Sequence, residues 1–430
     1  MPEIAPFRAL RYDTGRFSAD VSKVIAPPYD VLEAEDKATL LARSDKNIVA
    51  VDLPHVPPKK AGPDAVYAQA AELFNRWKSE GTLALDPKPA LYVYHQVYEH
   101  GGRSYTRKKF FARMRIEAFG EGTVFPHEQT FGGPKEDRFK LMRATQCQMS
   151  PIFGLYNDPE NAISKLLDPG SRTPDMTADM QGVGNRLWVL HDPAAIDAVC
   201  KAFSGRAVYI ADGHHRYGTA LNYRDTLLKE KRNLPNDHPA RFVLVGLCAM
   251  EDPGCIILPT HRTVSGFGYL NTDDIIGVLG NGLELSRVQT APEDAEKLLQ
   301  PDSPYDVVLY VPDGERVLTA RFTHRDLLAQ LAPQRSDAWR KLDLAYLHCC
   351  LIDELITSRA MAGTEPTVHY FKVTQAALDD ARQTGGIAFI TKACTMEELR
   401  AVSHAGDLMP QKSTFFYPKL ATGLVINPLA

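Results

Sequence analysis

The stretch Tyr209 to Gly218, YIADGHHRYG, limits the fold more than any other part of the chain. The apolar run RAVYI reads as a buried strand, Asp212-Gly213 as a tight corner, and TALNYRDTLLKEKR as a helix whose basic last turn complements the helix dipole. A strand that turns through one glycine into a helix belongs to α/β architecture. It also leaves the first backbone N–H groups of that helix without intrahelical acceptors, and those donors, with the positive end of the dipole, attract phosphate. Gly213 lets the backbone approach a ligand closely and permits positive φ. Arg216 can fork onto two phosphate oxygens, and His214 and His215 can donate further hydrogen bonds. Asp212 would repel a phosphate unless Mg²⁺ lay between them, so it is expected to hold the metal or to orient a histidine. The opposing reading is an ordinary Asp-Gly turn beside structural histidines. A transition-metal site on the histidine pair is disfavoured, because neighbours on an extended chain point apart.

The chain of 430 residues is too long for one core at about 150 residues per domain, so two or three domains are expected. Residues 1–122 read as an N-terminal α/β region, 123–264 as a core with an insertion at about 158–205, and 265–430 as a C-terminal α/β region. In the first, GPDAVYAQAAELFNRWKSEG places Val66, Ala70, Leu73, Phe74 and Trp77 on one helical face. A hairpin follows around Gly101-Gly102, with Arg103, Arg107, Lys108 and Lys109 expected on its solvated face. In the second, SPIFGLY and RLWVL read as strands, and DPAAIDAVCKAF as a helix capped by Asp192 with Pro193 at its first position. A second hairpin is expected about Asp252-Pro253-Gly254.

Other chemistry-bearing stretches are weaker. In TVFPHEQTFGGPKEDR, His127 and Glu128 set an imidazole beside a carboxylate on a loop, which suits proton abstraction from a hydroxyl. Thr130 and Lys135 are candidates for substrate contact there. Position 131 is Phe, so the stretch is not the zinc motif HExxH. PTHRTV offers His261 and Arg262 for substrate, and MPQKST offers Lys412, Ser413 and Thr414 for the cofactor, with Lys419 further on. A surface strand end or solvated loop is the simpler explanation of any one of His261, Arg262, Lys412, Ser413 and Thr414. The chain has no Walker A sequence and no GxSxG elbow.

A formal net charge of -4 gives no electrostatic reason to expect nucleic acid as a partner. Seven scattered cysteines without a CxxC pair argue against a disulfide framework or a thiolate zinc site, and suit a reducing cytoplasm. The N-terminus lacks an apolar h-region and no run of about 18 apolar residues occurs, so neither secretion nor membrane spanning is expected.

APPYDV, PHEQT, PKEDR, SPIFGLY, ADGHHRY, LPTHRTV and MPQKSTFFYPKL, in that order, resemble the signatures of domain-of-unknown-function family 1015. More distantly, DGHHR after a strand and opening a helix is similar to the phosphate-binding box of the ParB/sulfiredoxin-like superfamily, closest to its free serine kinase branch. Gly213 and Arg216 match the box glycine and arginine, and His215 matches the sulfiredoxin histidine, while His214 stands where sulfiredoxin has its reactive cysteine and ParB a glutamate. The resemblance implies an α/β fold with mixed sheets, whose ParB/sulfiredoxin-like core is flanked by N- and C-terminal α/β regions. It implies a nucleotide cofactor (ATP, ADP or CTP) with Mg²⁺, and Glu128 as the base toward a substrate hydroxyl. The function expected is phosphate transfer to a small hydroxylated metabolite, such as a free amino acid like serine, in the cytoplasm; the alternative is a non-catalytic nucleotide-responsive switch. A homo-oligomer is compatible with this reading, and the sequence leaves the oligomeric state open.

Overall fold

The structure is a computed structural model, and it describes residues 2–429 apart from 59, 129–131, 232, 267–271, 281, 301 and 361–366. The described residues divide into two units, one of residues 1–256 with 418–430 and one of residues 257–417. These differ from the boundaries expected at 122 and 264, and hydrogen bonding gives the reason. Strands on both sides of residue 122 join one sheet, and the end of the chain returns to that unit.

Nine strands form this sheet among the described residues. They are β1 (Ile4–Ala5), β2 (Leu91–His100), β3 (Arg103–Arg115), β4 (Val124–Pro126), β5 (Ile152–Tyr156), β6 (Met176–Met180), β7 (Val183–Leu190), β8 (Val208–Asp212) and β9 (Phe242–Ala249). Their order is β4-β8-β5-β9-β3-β2-β7-β6, with β1 paired to β3. β8 runs parallel to β4 and antiparallel to β5, and β9 runs parallel to β5 and antiparallel to β3, so the sheet is mixed as expected. The β2–β3 hairpin turns at Gly101-Gly102, both at positive φ (56° and 72°), as the turn chemistry predicts. The segment expected as an insertion supplies β6 and β7, which extend the same sheet beside β2.

Alternation gives the sheet two different faces. One carries Val93, Phe110, Ala112, Ile152, Val208, Ile210, Val245 and Leu247 and is covered by helices α3 (Pro193–Phe203) and α4 (His214–Lys231). Asp192 caps α3 as predicted, its carboxylate accepting from Ala194 N at 3.2 Å and Ala195 N at 3.3 Å. Val199 and Phe203 of α3 are fully buried, each stabilising the unit by about 1.5–3 kcal/mol. The other face carries Tyr94, Gln96, Arg107, Lys109, Phe111 and Phe153; a register irregularity between Ile210 and Asp212 brings Asp212, at the end of β8, opposite Phe153 on this face. Arg107 and Lys109 are buried (0% and 3% exposed), which corrects the solvated face expected for them; only Arg103 and Lys108 stand in solvent. Among the other helices of the first unit are α1 (Asp64–Ser79), burying Ala70, Phe74 and Trp77, and α2 (Gly132–Thr145).

In the second unit, β10 (His261–Ser265), β11 (Leu283–Val288), β12 (Val307–Val311), β13 (Arg316–Phe322), β14 (Thr367–Phe371) and β15 (Ile387–Thr391) form a sheet in the order β11-β13-β12-β15-β10-β14. Helix α5 (Thr374–Thr384) buries Ala377, Leu378 and Ala381 in its core. The hairpin expected about Asp252-Pro253-Gly254 does not form. β9 is already flanked by β5 and β3, so both of its edges are occupied, and the chain leaves for the second unit.

Candidate functional site

The Asp-Gly corner forms as its residue types require. β8 ends at Asp212, Gly213 takes φ +88°, and α4 starts at His214, with Tyr217 N donating to Gly213 O at 2.9 Å as the first rung of the ladder. The amides of His214, His215 and Arg216 precede that rung, where an α-helix provides no intrahelical acceptor. A Cβ at position 213 would lie 3.0 Å from Arg216 Nε and 3.1 Å from Ile152 Cγ2, so glycine is required for space as well as for φ.

Arg216 turns inward. It is 7% exposed, its Nη2 meets Asp212 Oδ2 at 3.1 Å, and its Nη1 donates to the carbonyl of Pro151. The guanidinium expected to fork onto phosphate therefore holds the end of β8 to the start of β5. The other oxygen of Asp212 faces Lys419 Nζ at 3.4 Å, and both of these side chains remain partly open to solvent, at 19% and 18%. Burial alone would raise the Asp212 carboxyl, but Lys419 and Arg216 outweigh it and hold it well below the usual carboxylate range.

Two imidazoles pack beside the corner. His127 Nδ1 lies 2.6 Å from Ile210 O, and a carbonyl only accepts, so Nδ1 carries the proton and Nε2 the lone pair. His127 N donates to His214 Nε2 at 3.3 Å, which fixes the same Nδ1–H tautomer on His214. The rings meet edge to face, 4.7 Å between centroids. Burial lowers the pKa of His127, and burial together with His127 pushes that of His214 well below its ordinary value, so both are neutral at neutral pH. Glu128 follows on the same loop, half-buried, and His215 stands half-buried on α4. Lys135 lies across the first turns of α4, where a Cβ at Gly218 would come within 3.1 Å of its Cε.

The remaining predicted residues fall elsewhere. Thr130 lies outside the described residues. His261, Arg262, Lys412, Ser413 and Thr414 belong to the second unit. There His261 Nδ1 accepts from Thr391 N at 3.3 Å, and Arg262, fully buried, donates to His348 Nε2 at 3.2 Å, to Lys412 O at 3.1 Å and to the carbonyl of Thr260. Ser413 is buried and donates to Pro410 O at 2.6 Å, Lys412 is exposed, and Thr414 is half-buried. His261 and Arg262 thus tie strands and loops of their own unit together.

Both oxygens of Asp212, the residue expected to hold a metal, face cations, Arg216 and Lys419, and among the described residues no group of three His, Cys, Asp or Glu side chains could hold an ion.

The motif reading missed Gln96, Arg107 and Lys109, the polar residues of the sheet face beside the corner. The signal in the sequence was slight: Arg107 and Lys109 stand two apart, and Gln96 follows the run LYVYH. What decides such a pattern is which face lies under the returning end of the chain.

The family model described as "Protein of unknown function (DUF1015)" matches residues 4–345. No curated protein matches the chain. Among solved structures, a free serine kinase in complex with AMP is 15% identical over 70% of this chain and 89% of that one, with a TM-score of 0.32. SbnI with a C-terminal truncation, from Staphylococcus aureus, is 12% identical over 74% and 87%, with a TM-score of 0.36. A conserved hypothetical protein from Pyrococcus furiosus is 16% identical over 70% and 92%, with a TM-score of 0.31.

Proposed function

The chain belongs to the DUF1015 family, and we propose that the corner at Asp212–Arg216 binds the phosphates of a nucleotide (ATP, ADP or CTP) for transfer to a small hydroxylated metabolite, with a free amino acid such as serine as the first acceptor to test. One observation carries the reading. A strand ends at a positive-φ glycine that opens an 18-residue helix, and Lys419 is brought from the far end of the chain to 3.4 Å from the carboxylate at that corner. The first-turn amides of α4 donate to phosphate oxygens, the dipole favours their charge, and Lys419, Lys135 and His215 add positive charge or donors beside them. Arg216 acts one step back, by holding Asp212 and Pro151 in place.

In the transfer, the acceptor hydroxyl oxygen forms a bond to the terminal phosphorus while the bond from that phosphorus to the nucleotide's bridging oxygen breaks. The hydroxyl proton passes to the Glu128 carboxylate. Positioning and neutralisation of charge are the main demands of such a step. No step is assigned to a metal through Asp212.

A second reading has its own support: Asp212 ties Lys419, and so the end of the chain, to the corner. A phosphate that competes for Lys419 would loosen that tie, which is the behaviour of a nucleotide-responsive switch. Turnover separates the two. Protein, ATP, ADP or CTP, with and without Mg²⁺, and a panel of hydroxylated metabolites including serine are incubated and analysed by mass spectrometry. Phosphorylated product from the wild type, lost in Glu128→Gln while nucleotide binding persists, supports transfer. Binding without product for any acceptor supports the switch, and no binding of any nucleotide overturns both.

A further inference from the structure

Lys419 reaches Asp212 from a segment that lies on the polar face of the sheet, and that segment is held at its backbone. Gln96 of β2 is fully buried and uses its whole side-chain hydrogen-bonding capacity. Its Nε2 donates to Lys419 O at 2.9 Å and to Asn185 Oδ1 at 3.2 Å, and its Oε1 accepts from Arg107 Nη2 at 2.6 Å and from Lys109 Nζ. Arg107 also donates to the carbonyl of Pro418. Two consecutive carbonyls of the segment are thereby fixed, one by Gln96 and one by Arg107. Next along the chain, Leu420 settles where β9 has Gly246, since a Cβ at that glycine would lie 3.1 Å from Leu420 Cδ1.

We infer that Gln96 is a positioning residue for Lys419: it orders the Pro418–Lys419 backbone so that the ammonium points to the Asp212 corner. The amide suits this task in a way its neighbours in size do not. A leucine would leave Lys419 O without this donor. A glutamate of the same shape would satisfy Arg107 and Lys109 better, yet it would present lone pairs to Lys419 O and Asn185 Oδ1. Gln96→Glu therefore separates support of the buried cations from placement of Lys419.

The inference rests on the nucleotide reading only in its second measurement. In the first, the wild type, Gln96→Glu and Gln96→Leu are labelled with an amine-acylating reagent, and acylation of each lysine is followed by mass spectrometry. Lys419 is 18% exposed and should react slowly in the wild type. It should react at least fivefold faster in both variants, with the rates of the other lysines apart from Lys109, a direct partner of Gln96, unchanged and the thermal transition still cooperative. An unchanged Lys419 rate in a folded Gln96→Glu protein overturns the inference. In the second, the Kd for Mg²⁺–ADP is measured for Lys419→Ala, Gln96→Glu and the double variant. Each single change should raise Kd about tenfold, and the double variant should match Lys419→Ala alone, because both act through one group. Additive effects overturn the inference. Failure of the wild type to bind ADP would sink the nucleotide reading and leave the labelling result to decide the role of Gln96.

Discussion

Gly213→Ala tests the corner most directly, because the structure supplies a matched control. Gly213 and Gly182 both take positive φ, +88° and +76°, but a Cβ at 182 meets nothing within 4 Å whereas one at 213 meets Arg216 and Ile152 at 3.0–3.1 Å. Backbone strain alone costs about 1–2 kcal/mol at either site. Crowding at 213 adds about 1–3 kcal/mol, as overpacking does elsewhere. Gly182→Ala should therefore lose about 1–2 kcal/mol and Gly213→Ala about 2–5 kcal/mol. With a urea slope near 3 kcal/mol/M, the difference between the two is a further fall of about 0.3–1 M in the unfolding midpoint. Fluorescence-detected urea unfolding reads this, and isothermal titration with Mg²⁺–ADP reads the site. Binding should weaken at least tenfold in Gly213→Ala and stay unchanged in Gly182→Ala. Equal stability losses would refute the packing argument at 213, and equal affinities would refute the placement of phosphate at this corner.

Removing Arg216 as Arg216→Ala breaks a buried ion pair and strands the Pro151 carbonyl, so a loss of about 3 kcal/mol is expected in the same unfolding assay. The buried histidines make stability fall with acid. Burial lowers His95 to about 4 and also depresses His127 and His214, so as the pH drops below about 6.5 the unfolded chain takes up protons first. Stability is then full above about pH 6.5 and declines by about 1.4 kcal/mol per pH unit for each such group, a slope that His214→Gln should reduce. Asp212, held below the usual carboxylate range by Lys419 and Arg216 against the effect of burial, contributes stability above about pH 4 that is lost as the pH falls through its folded value; Asp212→Asn should remove that acid limb. Lys109, pushed down by burial and by Arg107, disfavours folding at neutral pH, and Lys109→Met should raise the unfolding midpoint by the equivalent of about 1 kcal/mol.

Taken by itself, the sequence determined what local chemistry determines. The strand, corner and helix at 208–231, the hairpin at Gly101-Gly102 and the Asp192 cap follow from side-chain period, glycine freedom and capping, all of which act within a few residues. His127, Glu128 and Asp212 could be named as candidates for the same reason, through residue type in two separate stretches. Only the tertiary structure decided which neighbours those groups meet. Arg216 turns to Asp212 and Pro151 because β5 lies beside β8, and Arg107 and Lys109 go under cover because the chain's end returns over their face. Neither pairing leaves a trace at short range, since sheet order and the path of a distant segment depend on the summed burial of the whole unit. The same is true of the division into units, which follows the sheets and ignores the composition of the linkers.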